Sequence, residues 1–412
     1  MSKNTKLVLA LNAGSSSFKA SVIANGEETL VSFLAERLLT KDAAIIVSPK
    51  GMPKSQLEKD NEDATLNHAQ ALTKIINYLK QKDHMLANLL AVGHRVVHGG
   101  TIFPTSAVIK EKELEELASI SHLAPLHNPH NVAGIEAMRD ILKEVPNVAV
   151  FDTSFHSSIP VKVHTYPLPA EYRSKGIRKW GFHGTSVHYC SQKAKDVLRG
   201  INVSLTKEGP YQMVVCHLGN GASVTAVSGN KSMETSMGFT PLSGLMMGTR
   251  CGDVDPSVVS FACNQLNKSV DEVLNDMNKK SGLKGMTSDG ENDMRELLAR
   301  CAKGDEEAKL TVDMFVFRLA QNIAKSLVAL EGPMDALVFT AGIGEHSSEI
   351  RQRTINELAK LIPSLGLDKE RNEVDGHDSN GVISEDGAFP AVLVVATDEE
   401  AMIAKECIRL VC

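Results

Sequence analysis

The chain has 412 residues, 42% of them hydrophobic and 23% charged, and a formal net charge of -6. That is enough chain for two or three domains, each with a sizeable core. Lysines and arginines are scattered rather than clustered, which argues against a nucleic-acid surface or a polybasic membrane patch, and no stretch approaches the ~20 apolar residues of a membrane helix.

The first apolar run, residues 7–11, ends at Asn12 and reads as a strand rather than a secretory signal. Asn12-Ala13-Gly14-Ser15-Ser16-Ser17 follows, and residues 18–23 are again β-like, so a strand–turn–strand hairpin is predicted. Such a turn can aim backbone N–H groups and serine hydroxyls, Ser15 and Ser17 among them, at a phosphate, with Lys19 as a point charge. It is neither a Walker loop nor a G-x-S-x-G elbow, which argues against a serine hydrolase. Residues 28–36 and 43–48 are predicted strands, and 50–63 a polar loop. Leu72, Ile75, Ile76 and Leu79 predict a helix over 64–81. A strand at 89–97, a helix at 111–119, a loop at 123–130, a helix through Val132, Ile135, Met138 and Leu142, and a strand at 147–151 follow. Alternation of strands and helices indicates an α/β layered domain.

The second half repeats the plan. Trp180 to Ser186 leads into a helix to about residue 199; the strand 213–218 then runs into Gly219-Asn220-Gly221 and a second strand at 224–227. A glycine- and proline-rich loop at 240–250 precedes helices at 256–266 and 270–280. A glycine-rich loop at 281–292 follows, and Asp293-Met294-Arg295 opens another helix. The longest predicted helix is 312–330. A strand at 336–340 ends in Ala341-Gly342-Ile343-Gly344-Glu345, then come a helix at 349–361, a polar stretch at 363–388, a strand at 392–396 and a closing helix from about 398. Three glycine turns at strand ends suit a nucleotide whose phosphates lie between two similar domains.

Several side chains could carry chemistry. Arg250 is a long cation at the tip of a glycine/proline loop, near Asp253 and Asp255, and phosphoryl transfer needs cations aimed at the equatorial oxygens of the moving group. Arg95 and Arg295 also lie near glycines at element ends. Asp152 ends a strand, where open α/β sheets place ligands, although a turn aspartate is the plainer reading. Of fourteen histidines His183 and His217 stand out because each abuts a glycine turn, and no H-E-x-x-H or Cys/His pair marks a metal site. Asn12 and Glu399 are oxygen donors of the kind Mg²⁺ takes together with waters and phosphates. Seven cysteines stand singly, with no C-x-x-C, so no disulfide framework is expected and a reducing, cytoplasmic setting is.

Together these stretches resemble the acetate kinase family of carboxylate kinases. The matching runs are LNAGSSSFK, GHRVVHGG, LAPLHNP, FDTSFH, GFHGTS, HLGNGAS, FTPLSGLMMGTR, DMR, TAGIGE and TDEEAMIA, in the family's order and over nearly the whole chain. The resemblance implies an α/β fold of two similar domains of the sugar kinase, Hsp70 and actin (ribonuclease H-like) type, with the active site in an interdomain cleft. Residues 1–151, closed by a C-terminal helix at about 397–412, would form the first domain and 152–396 the nucleotide-binding one. It further implies reversible transfer of phosphate between ATP and acetate with Mg²⁺ (or Mn²⁺), giving acetyl phosphate and ADP, in a homodimer without nucleic-acid or membrane partners. Carried over by position, Asn12 and Glu399 are metal-site residues, Lys19 faces the nucleotide phosphates, and Arg95 holds the acetate carboxylate. Asp152 assists as base or orienting group, and His183 and Arg250 stabilise the moving phosphoryl group. His217, Leu218, Gly219, Asn220 and Gly221, then Asp293, Met294 and Arg295, then Ala341, Gly342, Ile343, Gly344 and Glu345 bind the nucleotide. Val97, Leu126, Phe182 and Pro241 enclose the methyl group. The sequence departs from the family pattern at Val187, where histidine is usual, at Cys251, where serine is common, at 101–105 and near Asp289. A propionate kinase is the nearest alternative, and an Hsp70- or actin-like ATPase one of another class.

Overall fold

β1 (Leu7–Ala13) is hydrophobic along nearly its whole length because it is covered on both faces. Side chains alternate across a strand. Leu7, Leu9 and Leu11 therefore meet Leu72, Ile75, Ile76 and Leu79 of the helix His68–Lys80. Val8 and Ala10 point the other way, onto Ile403, Ala404 and Cys407 of the C-terminal helix Glu399–Val411. The structure, a computed structural model, describes residues 5–14, 17–57, 65–82, 85–125, 127–201 and 209–412. It divides into two units, Met1–Phe155 with Asp398–Cys412, and His156–Thr397.

The first unit carries β1, β2 (Phe18–Ala24), β3 (Glu28–Glu36), β4 (Ala44–Pro49), β5 (Ser55–Gln56), β6 (Leu89–Val96), β7 (Ala107–Val108) and β8 (Asn147–Phe151), in the spatial order β5-β4-β3-β2-β1-β6-β8-β7. β1 and β2 form an antiparallel hairpin, while β6 and β8 continue the sheet parallel to β1. The C-terminal helix seats on β6 because residue 93 is glycine: a Cβ there would come 2.3 Å from Ile403 Cγ2 and 2.6 Å from Cys407 Sγ.

Several boundaries differ from the sequence reading, three of them in the first unit. The helix predicted from 64 begins at His68, because Asn67 caps it reciprocally with Gln70. Part of the loop expected at 123–130 belongs to the helix Asn128–Ile141, since Pro129 in the first turn fits where no N–H is needed. The polar stretch after 50 includes the two-residue β5.

The second unit has β9 (Gln212–Leu218), β10 (Ala222–Ser228), β11 (Lys231–Thr235), β12 (Ala336–Thr340) and β13 (Ala391–Val394), in the order β11-β10-β9-β12-β13. β9–β10 and β10–β11 are antiparallel, and β9–β12 and β12–β13 parallel. That is the arrangement of β3-β2-β1-β6-β8, so the two sheets share one topology. The long helix runs over Glu306–Leu327, earlier than predicted, because Asp305 caps it through Ala308 N (3.1 Å). The turn after β12 winds into a short helix, Ala341–His346, and the polar stretch at 363–388 holds another, Lys369–Glu373. Among the described residues no helix is long and apolar enough to cross a membrane.

Candidate active site

In the first unit the carboxyl ends of three parallel strands deliver one cluster, the usual position for ligands in open α/β sheets. Asn12 comes from β1, Arg95 from β6, and Asp152 follows β8 directly. Arg95 Nε and Nη2 donate side-on to both Asp152 oxygens (2.9 and 2.7 Å). Its Nη1 donates to Asn12 Oδ1 (3.1 Å) and lies 3.6 Å from Glu399 Oε2. Asn12 Nδ2 reaches the same Glu399 oxygen at 3.4 Å. Glu399 opens the C-terminal helix, where the dipole favours a carboxylate. Burial works against the Arg95 charge, but the Asp152 and Glu399 carboxylates outweigh it and hold the guanidinium pKa above its ordinary value. The guanidinium fork across Nη1 and Nη2 is the edge Asp152 leaves open.

Hairpin register sets Lys19 opposite Asn12. Gly14 N donates to Ser17 O (2.8 Å), and His68 Nε2 donates to Gly14 O (2.9 Å). Ser15 and Leu126 lie outside the described residues. Burial pushes the Glu400 carboxyl upward, with Lys19 opposing. Val97, just past β6, donates its N–H to Asn131 Oδ1 (3.3 Å), and His98 exchanges two bonds with the Asn128 amide (3.2 and 2.9 Å). These two asparagines fix the backbone that presents Val97, and the sequence reading did not single them out. Their only local signal is Asn128-Pro129-His130-Asn131 at a helix start.

In the second unit the β9–β10 turn, the 240–250 loop and the start of the helix Gly184–Gly200 converge. Gly219 N donates to Gly221 O (3.0 Å), closing the turn. A Cβ on Gly221 would stand 3.4 Å from both Arg250 Nη1 and His183 Nε2, so these two nitrogens flank one spot beside the Gly221 backbone. Gly248 lies so near Asn220 that a Cβ would come 1.9 Å from its Oδ1. His183 is the N-cap of its helix, with φ +61°; its Nδ1 meets Ser223 Oγ at 3.0 Å, and its ring stacks on His217 at 4.1 Å. His217 Nδ1 is 2.8 Å from Ser186 Oγ, which bonds Thr397 Oγ1 (2.7 Å).

Arg250 Nη1 donates to Pro241 O (3.3 Å). Asp253 and Asp255, its neighbours in sequence, are engaged elsewhere: Asp253 accepts from Gly244 N and Asp255 from Ser257 N, both at 2.8 Å. Among the described residues no carboxylate pairs with Arg250, and burial lowers its pKa.

Parallel pairing of β9 with β12 sets Thr340 beside His217. It carries Ala341 to the Gly219 turn, where a Cβ on Gly219 would meet Ala341 Cβ at 3.8 Å. Glu345 Oε1 accepts from Ala341 N (2.8 Å) and Thr397 N (3.0 Å). Arg351, wholly buried, donates to the carbonyls of Gly344 (2.9 Å) and Glu345 (2.8 Å). His217, Leu218, Gly219, Asn220, Gly221 and the 341–345 turn therefore share one locale. Asp293, Met294 and Arg295 sit on a different element, the start of the helix Met294–Ala302. Arg295 is 88% exposed there and folded onto Asp293 (2.5 Å).

Residues 7–405 match the sequence profile of the Acetokinase family. The acetate kinase of Shouchella clausii is 41% identical over 407 residues, covering 98% of this chain and 99% of that one. That of Staphylococcus haemolyticus is 41% identical over 410 residues, covering 98% and 99%. Among solved structures, a propionate kinase from Francisella tularensis superposes with a TM-score of 0.87 at 39% identity, covering 98% of this chain and 100% of that one. Porphyromonas gingivalis acetate kinase gives 0.87 at 33% identity, covering 99% and 100%. The α/β fold with two similar sheets expected from the sequence is the fold of these relatives. On sequence and fold together, the chain belongs to the acetokinase family.

Proposed function

We propose that this chain transfers the γ-phosphoryl group of ATP to acetate, reversibly and directly, giving acetyl phosphate and ADP. One observation carries the reading: Arg250, a partly buried guanidinium with no carboxylate partner among the described residues, shares the space beside Gly221 with His183 Nε2. A cation partly withdrawn from water and unpaired with any described carboxylate suits a substrate anion, and the equatorial oxygens of a transferring phosphoryl group supply one.

Acetate is already an anion at neutral pH, so its attack on the γ-phosphorus requires no base. A carboxylate oxygen forms the new O–P bond, the bond to the β,γ-bridging oxygen breaks, and ADP leaves with the electron pair. Both Asp152 oxygens accept from Arg95, which supports an orienting role for Asp152 rather than proton abstraction. Arg95 then offers acetate the Nη1–Nη2 edge that Asp152 does not hold, with Nη1 shared with Asn12. Asn12 and Glu399, one amide and one carboxylate, fit Mg²⁺ or Mn²⁺, which takes few protein ligands beside waters and phosphates; among the described residues no group of three or more His, Cys, Asp and Glu forms a complete cage. When bound, the ion would offset charge on the β- and γ-phosphates. Glu399→Ala should raise the Mg²⁺ concentration for half-maximal rate, and an unchanged dependence removes Glu399 from the site.

Acetate-dependent ADP release, assayed with ATP, GTP and pyrophosphate as donors, tests the reading. ADP release indifferent to acetate would point to a partner-driven ATPase, and a higher kcat/KM on propionate to a propionate kinase. A homodimer is proposed on the helix Ser257–Leu266, which buries none of its residues and exposes Val258, Phe261 and Leu266. Phe261→Asp should yield monomers on sedimentation. Seven cysteines without a disulfide support a cytoplasmic location.

A further inference from the structure

The segment that delivers Phe182 and His183 turns twice through the left-handed region. Gly181 and His183 have φ of +75° and +61°; glycine adopts it freely, but for a histidine it is uncommon and is held by what surrounds it. Here β11 and the turn after it impose it. Trp180 N and Gly181 N donate to Gly238 O (3.0 and 3.3 Å). His156 Nε2 donates to Phe182 O (2.9 Å) while its Nδ1 meets Ser232 Oγ (2.8 Å). The Lys179 ammonium bonds the Glu234 carboxylate and also donates to Thr235 O (2.8 Å).

The Lys179–Glu234 pair is the costly member of this set. The two residues are 9% and 6% exposed, and burial pulls the Lys179 pKa down while Glu234 resists. Lys325 approaches Glu234 only to 3.9 Å. An ion pair taken this far out of water adds little over apolar packing of the same volume, because desolvation offsets the attraction. What apolar packing lacks is direction: Lys179 ties a point three residues before Phe182 to two adjacent residues of β11.

We propose that Lys179 and Glu234 are positioning residues, fixing the Phe182–His183 corner so that His183 Nε2 stays beside Gly221 and Phe182 keeps the methyl-enclosing position that the family resemblance implies for it. This rests on the acetate kinase reading above.

The test separates position from stability. Lys179→Met alone strands Glu234 and should lower the melting temperature. Lys179→Met/Glu234→Leu should restore it, yet kcat should fall roughly ten- to a hundredfold, as a small misplacement of a catalytic group does. KM for ATP should stay within about twofold, and the acetate-to-propionate ratio should change. Lys179→Gln/Glu234→Gln is a polar, near-isosteric check should the apolar pair not fold. Long-range ¹H–¹⁵N spectra of the His183 ring give a readout independent of turnover and should shift in either double variant. A folded double variant with wild-type kcat, substrate ratio and His183 resonances would overturn the proposal. A wild type without acetate-dependent turnover would instead overturn the functional reading, and the His183 spectra would still decide the role of the pair.

Discussion

Arg95 and Arg250 are both partly withdrawn from water, but they keep opposite company. Arg95 lies within 3.6 Å of two carboxylates and an amide oxygen. Arg250 meets a carbonyl and a thioether, and among the described residues no carboxylate. In the first cluster two carboxylates more than offset the one cation, so its arginine is a rigid fork whose orientation is set before any ligand arrives. The second carries a partly buried cation that, among the described residues, meets a carbonyl but no carboxylate, so an incoming anion finds no competing charge there. A compensated cation suits binding, and an uncompensated one suits charge that develops during reaction.

The largest test of this contrast is Arg250→Ala. No buried anion is orphaned by the change, so kcat should fall by ~10²–10³ while the melting temperature hardly moves. A variant with near-normal turnover would break the comparison. Arg95→Met should do the reverse in stability. It strands Asp152, 3% exposed, and Glu399. Urea denaturation should register a loss of about 2–3 kcal/mol, below the usual range for a broken buried pair because the Arg95 side chain is 24% exposed. Equal stability of the two variants would mean that the Arg95 cluster is not electrostatically coupled as its geometry implies.

A pH test follows from two buried histidines in the first unit. Burial lowers the His94 pKa to about 4 against its bond with Asn147 Oδ1 (2.7 Å), and His98, buried near His122, is likewise lowered to about 4. Both folded values lie below the unfolded value near 6.5. Between the two the unfolded chain binds more protons, so stability is fully present above about pH 6.5 and falls as pH drops toward 4, by about 3 kcal/mol for His94. Protection factors of β6 amides, which divide out the slower intrinsic exchange at lower pH, should fall over that window, and His94→Gln should flatten the response; an equal slope in the variant would remove His94 as its source. The smallest effect concerns Val97. If it helps enclose the methyl group, acetate should be preferred to propionate by about ten- to two-hundredfold in kcat/KM. Val97→Ala should narrow that ratio through propionate while ATP kinetics hold. An unchanged ratio with lost stability would make Val97 a packing residue only.

Much of this was legible from local pattern. The apolar runs of β1 and β9 and the glycines after them announce two hairpins, because register, turn and burial there involve residues only a few positions apart. Arg250 stood out for the same reason: a long cation on a glycine/proline loop is a local feature. The helix starts at His68 and Glu306 were misplaced because the apolar spacing does not mark the cap residue, and Asn67 and Asp305 decided the boundary.

The sequence by itself determined the α/β alternation, the three glycine turns and the family, since each resides in contiguous runs. Only the tertiary structure decided which charges offset one another. Asp152 lies 57 residues from Arg95 and Glu399 lies 387 from Asn12, yet their side chains bond one another. Asp253 and Asp255, a few residues from Arg250, bond backbone N–H groups and leave its charge uncompensated. The sign of an electrostatic environment depends on distances in space and on exclusion of water, and chain order specifies neither until the sheets have formed.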